Sequence, residues 1–262
     1  MNAKKRSPVI IAVCGKGGVG KTSVSALLTA MFARDPGRRI LAIDADPAVG
    51  LSGPLGIESA GTLDDIRNQI IADIGNGVNA GKEELIRRLD YEILSAICEK
   101  QNLAFLAIGR PEAEGCYCRV NSLLRDIIKD IAQNFDMVII DGEAGMEQIN
   151  RRVMEMVTHL FLVTDASARG RSVAAAIEKI AGKTAAFEKA GIFFNRIRDK
   201  KEAEALFETT GLPAIGWMPE NSIIRELDRE GKSFLENARI NDIPFPETAV
   251  RQFLKCKGRN PG

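Results

Sequence analysis

The sequence predicts an α/β protein with a single domain, built on a mostly parallel, doubly wound sheet. Short apolar runs rich in β-branched residues alternate with segments whose apolar residues recur at helical spacing. The connections between them are short, and no repeat, low-complexity tract or linker divides the 262 residues. Strands that alternate with helices form parallel sheets covered on both faces. We therefore expect one domain over residues 1–262, with a flexible start at 1–7 and a tail at 257–262.

The first apolar run leads directly into a glycine-rich loop. Residues 9–13 predict a strand buried on both faces, and residues 23–33 predict a helix. Between them lies the pattern Gly-x-x-x-x-Gly-Lys-Thr at residues 15–22, which we call the phosphate loop. Such a loop turns successive N–H groups toward phosphate oxygens at the positive end of a helix dipole. The residues expected to contact the nucleotide are Gly15, Lys16, Gly17, Gly18, Val19, Gly20, Lys21, Thr22 and Ser23.

Two further predicted strands end in carboxylates. Residues 39–43 lead into Asp44 and Asp46, and residues 137–141 end at Asp141. Carboxylates at the ends of strands that neighbour a phosphate loop suit Mg²⁺ binding or the positioning of a water molecule. The Lys21 side chain would reach the terminal phosphates, and the Thr22 hydroxyl would bind Mg²⁺.

The remaining segments complete the predicted alternation. Strands are expected at residues 102–108, 160–164, 191–195 and 213–218, and helices at 63–73, 82–100, 123–134, 173–187 and 200–209, with a last helix that follows the loop at 219–221 and runs through residue 230. Cys98 falls at the end of the 82–100 helix, and His159 opens a strand; neither is expected to be a ligand. The short apolar face of residues 244–257 is expected to pack on the sheet rather than lie on a membrane.

Composition excludes several classes of function. A formal net charge of +1 gives no long-range attraction to nucleic acid or to anionic membranes. No apolar run approaches the ~18 residues of a membrane span, and the basic start leads into a strand rather than a signal peptide. Five cysteines in a long chain favour free thiols in a reducing compartment over a disulfide framework. We therefore expect a cytoplasmic protein without nucleic-acid or membrane partners.

A second lysine in the phosphate loop carries a family resemblance. The run Gly-Lys-Gly-Gly-Val-Gly-Lys-Thr at 15–22 resembles the deviant Walker A loop of the MinD/ParA/nitrogenase iron protein class of P-loop ATPases. The resemblance implies ATP and Mg²⁺ bound at a homodimer interface, with Lys16 reaching the partner's nucleotide. It implies catalytic roles for Lys16, Lys21 and Asp46, and a place beside Mg²⁺ for Thr22, Asp46 and Asp141. Asn195 matches the family's purine-binding asparagine, although its position equally suits a helix cap or turn.

Cys116 and Cys118 are the second discriminating feature. In extended backbone the two sulfurs would face the same side. Two thiolates do not complete a tetrahedral site, but two chains related by a two-fold axis would supply four sulfurs. Such a site suits Zn²⁺ or Ni²⁺. A buried pair, a redox pair and a chance spacing are the alternatives, although Cys-x-Cys spacing strains a disulfide.

Residues 114–124, with the phosphate loop and residues 141–145, resemble the CooC-type nickel-insertion ATPases. The resemblance implies an ATP-dependent metallochaperone whose two cysteines per chain hold metal at the dimer interface. Its client would be a nickel enzyme, carbon monoxide dehydrogenase or acetyl-CoA synthase. Two alternatives are a ParA/MinD-like positioning ATPase and an electron-transfer ATPase like the nitrogenase iron protein. The latter class carries a cluster cysteine where residues 142–149 of this chain have none.

Overall fold

A computed structural model describes residues 7–76, 82–109, 118–144, 156–184 and 187–255. Within them the chain forms one eight-stranded sheet with helices on both faces, as predicted. The strands are β1 (Val9–Gly15), β2 (Ile40–Asp44), β3 (Cys98–Lys100), β4 (Leu103–Ala107), β5 (Met137–Ala144), β6 (His159–Thr164), β7 (Lys189–Asn195) and β8 (Ala214–Met218).

The strand order is β3-β4-β2-β5-β1-β6-β7-β8, and every pairing is parallel except that of β3 with β4. β1 therefore lies inside the sheet, between β5 and β6. Its apolar side chains are buried on both faces, which is why the sequence shows a continuous apolar run rather than an alternating one. The carboxyl ends of β1, β2, β5, β6 and β7 all meet at one edge of the molecule, where ligands bind in open parallel sheets.

Helices cover both faces of the sheet. They are α1 (Lys21–Ala33), α2 (Ser52–Leu55), α3 (Leu63–Gly75), α4 (Lys82–Ala96), α5 (Cys118–Ala132), α6 (Ala168–Thr184), α7 (Lys200–Glu208), α8 (Ser222–Glu230) and α9 (Glu247–Leu254), with a 3₁₀ turn at Ala238–Asp242. Helices α3 to α7 pack on one face, and α1, α2, α8, α9 and the 3₁₀ turn pack on the other.

Three predicted helix boundaries are wrong. The helix predicted over residues 173–187 begins at Ala168. The helix predicted over residues 82–100 ends at Ala96, and Cys98 lies in the short edge strand β3. That strand was missed because three residues are too few for a periodic pattern. The helix predicted from residue 123 begins at Cys118. The backbone at Cys118 is therefore helical, and Cys116 lies outside the described residues.

The C-terminal segment packs on the sheet, as expected. Val250 and Leu254 are buried, and the ring of Phe253 makes edge contacts with those of His159 and Phe161. The Lys189 ammonium donates to the carbonyl oxygens of Phe253 and Lys255, which close the last turn of α9. Within the described ranges, no helix has both the length and the apolar composition that crossing a membrane requires.

Candidate nucleotide site

The phosphate loop connects β1 to α1 through a left-handed turn. Gly18 and Gly20 have φ values of 80° and 89°, a region that side chains with a Cβ rarely adopt, and α1 begins at the next residue, Lys21. Gly15 passes so close to the Val163 carbonyl of β6 that a Cβ there would collide with it. The pattern read from the sequence therefore has the backbone geometry that a phosphate loop needs.

The two lysines of the loop occupy different environments. Lys21 is 8% exposed, and its ammonium donates to the Lys16 carbonyl across the loop at 3.4 Å. Lys16 is half-buried and lies near Asp165, which follows β6. Partial burial acts to raise the pKa of Asp165, but hydrogen bonds from Ser167 and the charge of Lys16 hold it below its usual range. Lys21 is thus enclosed by the loop, whereas Lys16 is close enough to Asp165 to act on its charge.

Asp44 anchors the segment that follows β2. Its carboxylate is fully buried and accepts hydrogen bonds from the N–H groups of Asp46, at 3.0 Å, and Leu51, at 2.7 Å. Asp46 is half-buried and accepts from the Ala48 N–H. Burial raises the pKa of Asp44 to about 7, against the effect of its two N–H partners. The tether from Asp44 to Leu51 could not be foreseen from sequence spacing.

Asp141 is buried beside the start of α1. The Ser25 hydroxyl donates to its Oδ1 at 2.9 Å, while Oδ2 has no hydrogen-bond partner among the described residues. Burial raises the pKa of Asp141 to about 6, although Thr22, Ser25 and Lys21 act to lower it. Asp141 thus has a free carboxylate oxygen, and the Thr22 and Ser25 hydroxyls and the Asp46 carboxylate act on the same group. Together they supply hard oxygen ligands of the kind that fits Mg²⁺ or its bound waters.

Asn195 contacts the phosphate loop directly. Its amide nitrogen donates to the Val19 carbonyl at 2.8 Å, and its amide oxygen accepts from the Arg196 N–H at 2.9 Å. A Cβ at Gly20 would collide with this amide. The cap of α7 is Asp199, so the helix-cap alternative for Asn195 is wrong. The Arg196 contact with the loop, described below, was not predicted, because it joins residues far apart in sequence.

A cleft of about 110 Å³ opens on the outer side of this turn. It extends from Ser23 to α8, whose first turn is capped by the Asn221 side chain. The lining residues are Ser23, Asn195, Arg196, Met218, Pro219, Glu220, Asn221, Ile224, Arg225 and Asp228. The cleft therefore brings Asn195 together with residues 219–221, which follow the next strand along the chain.

The cysteine pair is not brought to this site by the described structure. Cys116 lies outside the described residues, and Cys118 is the first residue of α5. The described ranges contain no group of three or more His, Cys, Asp or Glu side chains that could hold a metal ion. Cys14, in β1, is buried, and desolvation raises the pKa of its thiol. Cys98 is half-buried in β3.

Comparisons with known proteins agree with this geometry. Residues 10–234 match the model of the CobQ/CobB/MinD/ParA nucleotide binding domain. An uncharacterized ATP-binding protein of Methanocaldococcus jannaschii is 38% identical over 232 residues, covering 85% of this chain and 89% of that protein. The carbon monoxide dehydrogenase accessory protein CooC of Rhodospirillum rubrum is 29% identical over 180 residues, covering 65% of this chain and 68% of CooC.

A ParA family ATPase from Chlorobium tepidum has the same fold, with a TM-score of 0.67 at 18% identity, over 95% of this chain and 98% of that one. The family match spans most of the chain and includes the phosphate loop, Asp44, Asp46, Asp141 and Asn195. The chain belongs to the CobQ/CobB/MinD/ParA family of nucleotide-binding ATPases.

Proposed function

We propose that this protein is an ATP-dependent metallochaperone that carries nickel, or zinc, on Cys116 and Cys118 and helps to load a nickel enzyme. The observation that carries the proposal is the presence of Lys16 and the cysteine pair in one chain. The similarity to CooC supports the choice of client, carbon monoxide dehydrogenase or acetyl-CoA synthase. The protein would act in the cytoplasm, as one domain that pairs with a second copy.

ATP would bind through residues 15–23. The N–H groups of the loop and Lys21 would hold the phosphates, and Asn195 would contact the base from the cleft beside it. Thr22, Asp46 and Asp141 would hold Mg²⁺, which neutralises charge on the phosphates when bound. Asp46 would orient the attacking water. The Ser25 hydroxyl donates to Oδ1 of Asp141, which would leave Oδ2 of Asp141 for Mg²⁺.

The second chain would complete both sites. Lys16 is half-buried, and its ammonium would reach the nucleotide of a partner. Four thiolates, two from each chain, would hold one metal ion on the two-fold axis. Since nucleotide and metal would both join the same two chains, each would strengthen binding of the other by the same factor. Hydrolysis would then loosen the dimer and release the metal.

The test is metal binding by the Cys116→Ala/Cys118→Ala double variant. Dialysis against Ni²⁺ with a non-hydrolysable ATP analogue, followed by metal analysis, should give one metal ion per dimer for the wild type and none for the variant. Cys98→Ala is the control, because it removes a thiol from β3 and should keep the full metal content. Unchanged nickel stoichiometry and affinity in the double variant would refute the metal assignment.

A positioning ATPase is the second candidate, and the likeness to the ParA fold favours it. Such a protein would have to bind DNA or a membrane. In α9 Val250 and Leu254 are buried against the sheet, which argues against membrane binding by this helix, and a net charge of +1 gives no long-range attraction to DNA. Co-sedimentation with liposomes or DNA in the presence of ATP would establish this alternative. An electron-transfer role would instead show the absorption of a protein-bound iron–sulfur cluster.

A further inference from the structure

We infer that Arg196 is a positioning residue for the phosphate loop. Together with Asn195, it holds the loop in the orientation that receives phosphate. The inference concerns how the nucleotide site is assembled. It stands whether or not the chain carries a metal. The family match covers the residues involved but assigns no role to Arg196.

Adjacent side chains of one turn bind adjacent carbonyl groups of the loop. The Arg196 guanidinium donates to the Gly18 carbonyl at 2.8 Å, and the Asn195 amide donates to the Val19 carbonyl at the same distance. Both bonds join positions more than 170 residues apart in sequence. The turn after β7 is thus fastened to the loop after β1 although β6 separates the two strands in the sheet.

These two bonds determine which way the loop's N–H groups point. A trans peptide unit is planar, so its C=O and N–H bonds point in opposite directions. Holding the Gly18 carbonyl toward Arg196 directs the Val19 N–H away from the turn. Holding the Val19 carbonyl toward Asn195 does the same for the Gly20 N–H. Successive N–H groups directed to one side form the anion-binding concavity of a phosphate loop.

The backbone of Arg196 supports a dedicated role. Its φ of 61° lies in the left-handed region, where a residue other than glycine, asparagine or aspartate is uncommon. Arg196 also donates its own N–H to the Asn195 amide oxygen, which fixes the amide so that its nitrogen faces Val19. A strained residue that orients its neighbour and binds the loop indicates an arrangement built for the site.

The turn also lines the cleft described above, so one structural unit contacts both the cleft and the phosphate loop. Because the Arg196 guanidinium binds the Gly18 carbonyl of the loop, a change at Arg196 should weaken phosphate binding more than adenosine binding. A residue that served only the cleft would show the opposite pattern.

The experiment compares Arg196→Asn with Arg198→Asn. Asparagine tolerates the left-handed region, so Arg196→Asn removes the bond to Gly18 with little disturbance of the turn. Arg198→Asn removes the same charge two residues away, from a side chain that is 79% exposed and pairs with Asp199 and Glu202. Each protein is loaded with a fluorescent ADP analogue, which is then displaced separately by Mg²⁺-pyrophosphate and by adenosine.

We expect Arg196→Asn to weaken pyrophosphate binding about tenfold, the effect of losing one charged hydrogen bond, and to change adenosine binding less than twofold. Arg198→Asn should change neither. Equal losses for both ligands, or no loss of pyrophosphate binding, would overturn the inference.

Arg196→Gly separates positioning from folding. Glycine accepts the positive φ without strain, so the melting temperature of Arg196→Gly should stay close to that of the wild type, while its pyrophosphate binding falls by the same factor as that of Arg196→Asn. A loss of phosphate affinity that instead follows the melting temperature from variant to variant would show a merely structural role and overturn the inference.

Discussion

Two buried carboxylates beside the phosphate loop make the stability of the protein depend on pH. Burial raises the pKa of Asp44 to about 7 and that of Asp141 to about 6, against a usual value of 3.8. At pH values between 3.8 and these raised pKa values, the two carboxyls carry protons in the folded chain but not in the unfolded chain. Because a group with a raised pKa binds protons more tightly in the folded state, stability falls as pH rises through this range.

We expect the melting temperature of the nucleotide-free wild type to fall between pH 5 and pH 8. Asp44→Asn cannot ionise, so its melting temperature should fall less over the same interval, whatever its absolute value. The measurement is thermal unfolding followed by circular dichroism at several pH values. Asp242→Asn removes an exposed carboxyl and should follow the wild-type profile. Parallel profiles for wild type and Asp44→Asn would contradict the raised pKa of Asp44.

At the scale of the elements, α9 is held on the sheet by an aromatic contact and by its last carbonyls. Phe253 packs edge-on against His159 and Phe161, and Lys189 binds the carbonyls at the end of the helix. The ring of His159 is fully buried where it meets Phe253, and burial lowers its pKa. The sole histidine is therefore part of the packing, as the sequence suggested.

Phe253→Ala should lower the free energy of unfolding by about 2 kcal/mol, less than for a fully buried ring because Phe253 is only half-buried. Urea unfolding followed by fluorescence or circular dichroism measures it. Gln252→Ala, at an exposed position of the same helix, should change it by less than about 0.5 kcal/mol. If the two variants were equally stable, α9 would not depend on this contact.

The elements differ in how well the sequence predicts them. Continuous apolar runs identified the central strands because parallel strands are buried on both faces. In α4 the apolar pattern was wider than the buried face, since Leu89 and Ile93 are buried but Leu94 is 61% exposed. Strand β3 was missed because its Glu99 and Lys100 are charged and it has only one neighbouring strand.

The candidate site shows the same division. The phosphate loop and the acidic strand ends were predictable because each depends on local sequence and on the direction of its strand. The bonds that Asn195 and Arg196 donate to the loop, and the bond that the Leu51 N–H donates to Asp44, depend on side-chain directions in the folded chain. No local pattern contains that information. The residues that arrange the site were therefore harder to predict than those that we expect to contact the nucleotide.

At the scale of the whole molecule, the proposed homodimer depends on Lys16. Lys16→Ala should leave the fold intact, because Lys16 is only half-buried and its loop is held by bonds from the Asn195 and Arg196 side chains. With a non-hydrolysable ATP analogue, light scattering should show a mass near twice 28.5 kDa for the wild type and near 28.5 kDa for the variant.

ATP turnover of Lys16→Ala should fall at least tenfold. Loss of a positive charge that stabilises the transition state raises the activation free energy by more than about 1.4 kcal/mol. Lys200→Ala, at a side chain that is 80% exposed on α7, is the matched control for both measurements and should behave as wild type. Normal turnover by a monomeric Lys16→Ala protein would show that each chain hydrolyses ATP alone.

The two edge strands of the sheet, β3 and β8, limit how copies of the chain can associate. At one margin β3 has only three residues, and the Lys100 ammonium turns back to bind Glu236 and the Gly56 carbonyl. At the other, Pro246 lies so close to Gly216 of β8 that a Cβ there would touch its ring. Short, charged or covered margins resist the addition of another strand. Fibril growth by strand addition is thereby disfavoured. Copies of the chain are expected to associate through surfaces other than the edge strands.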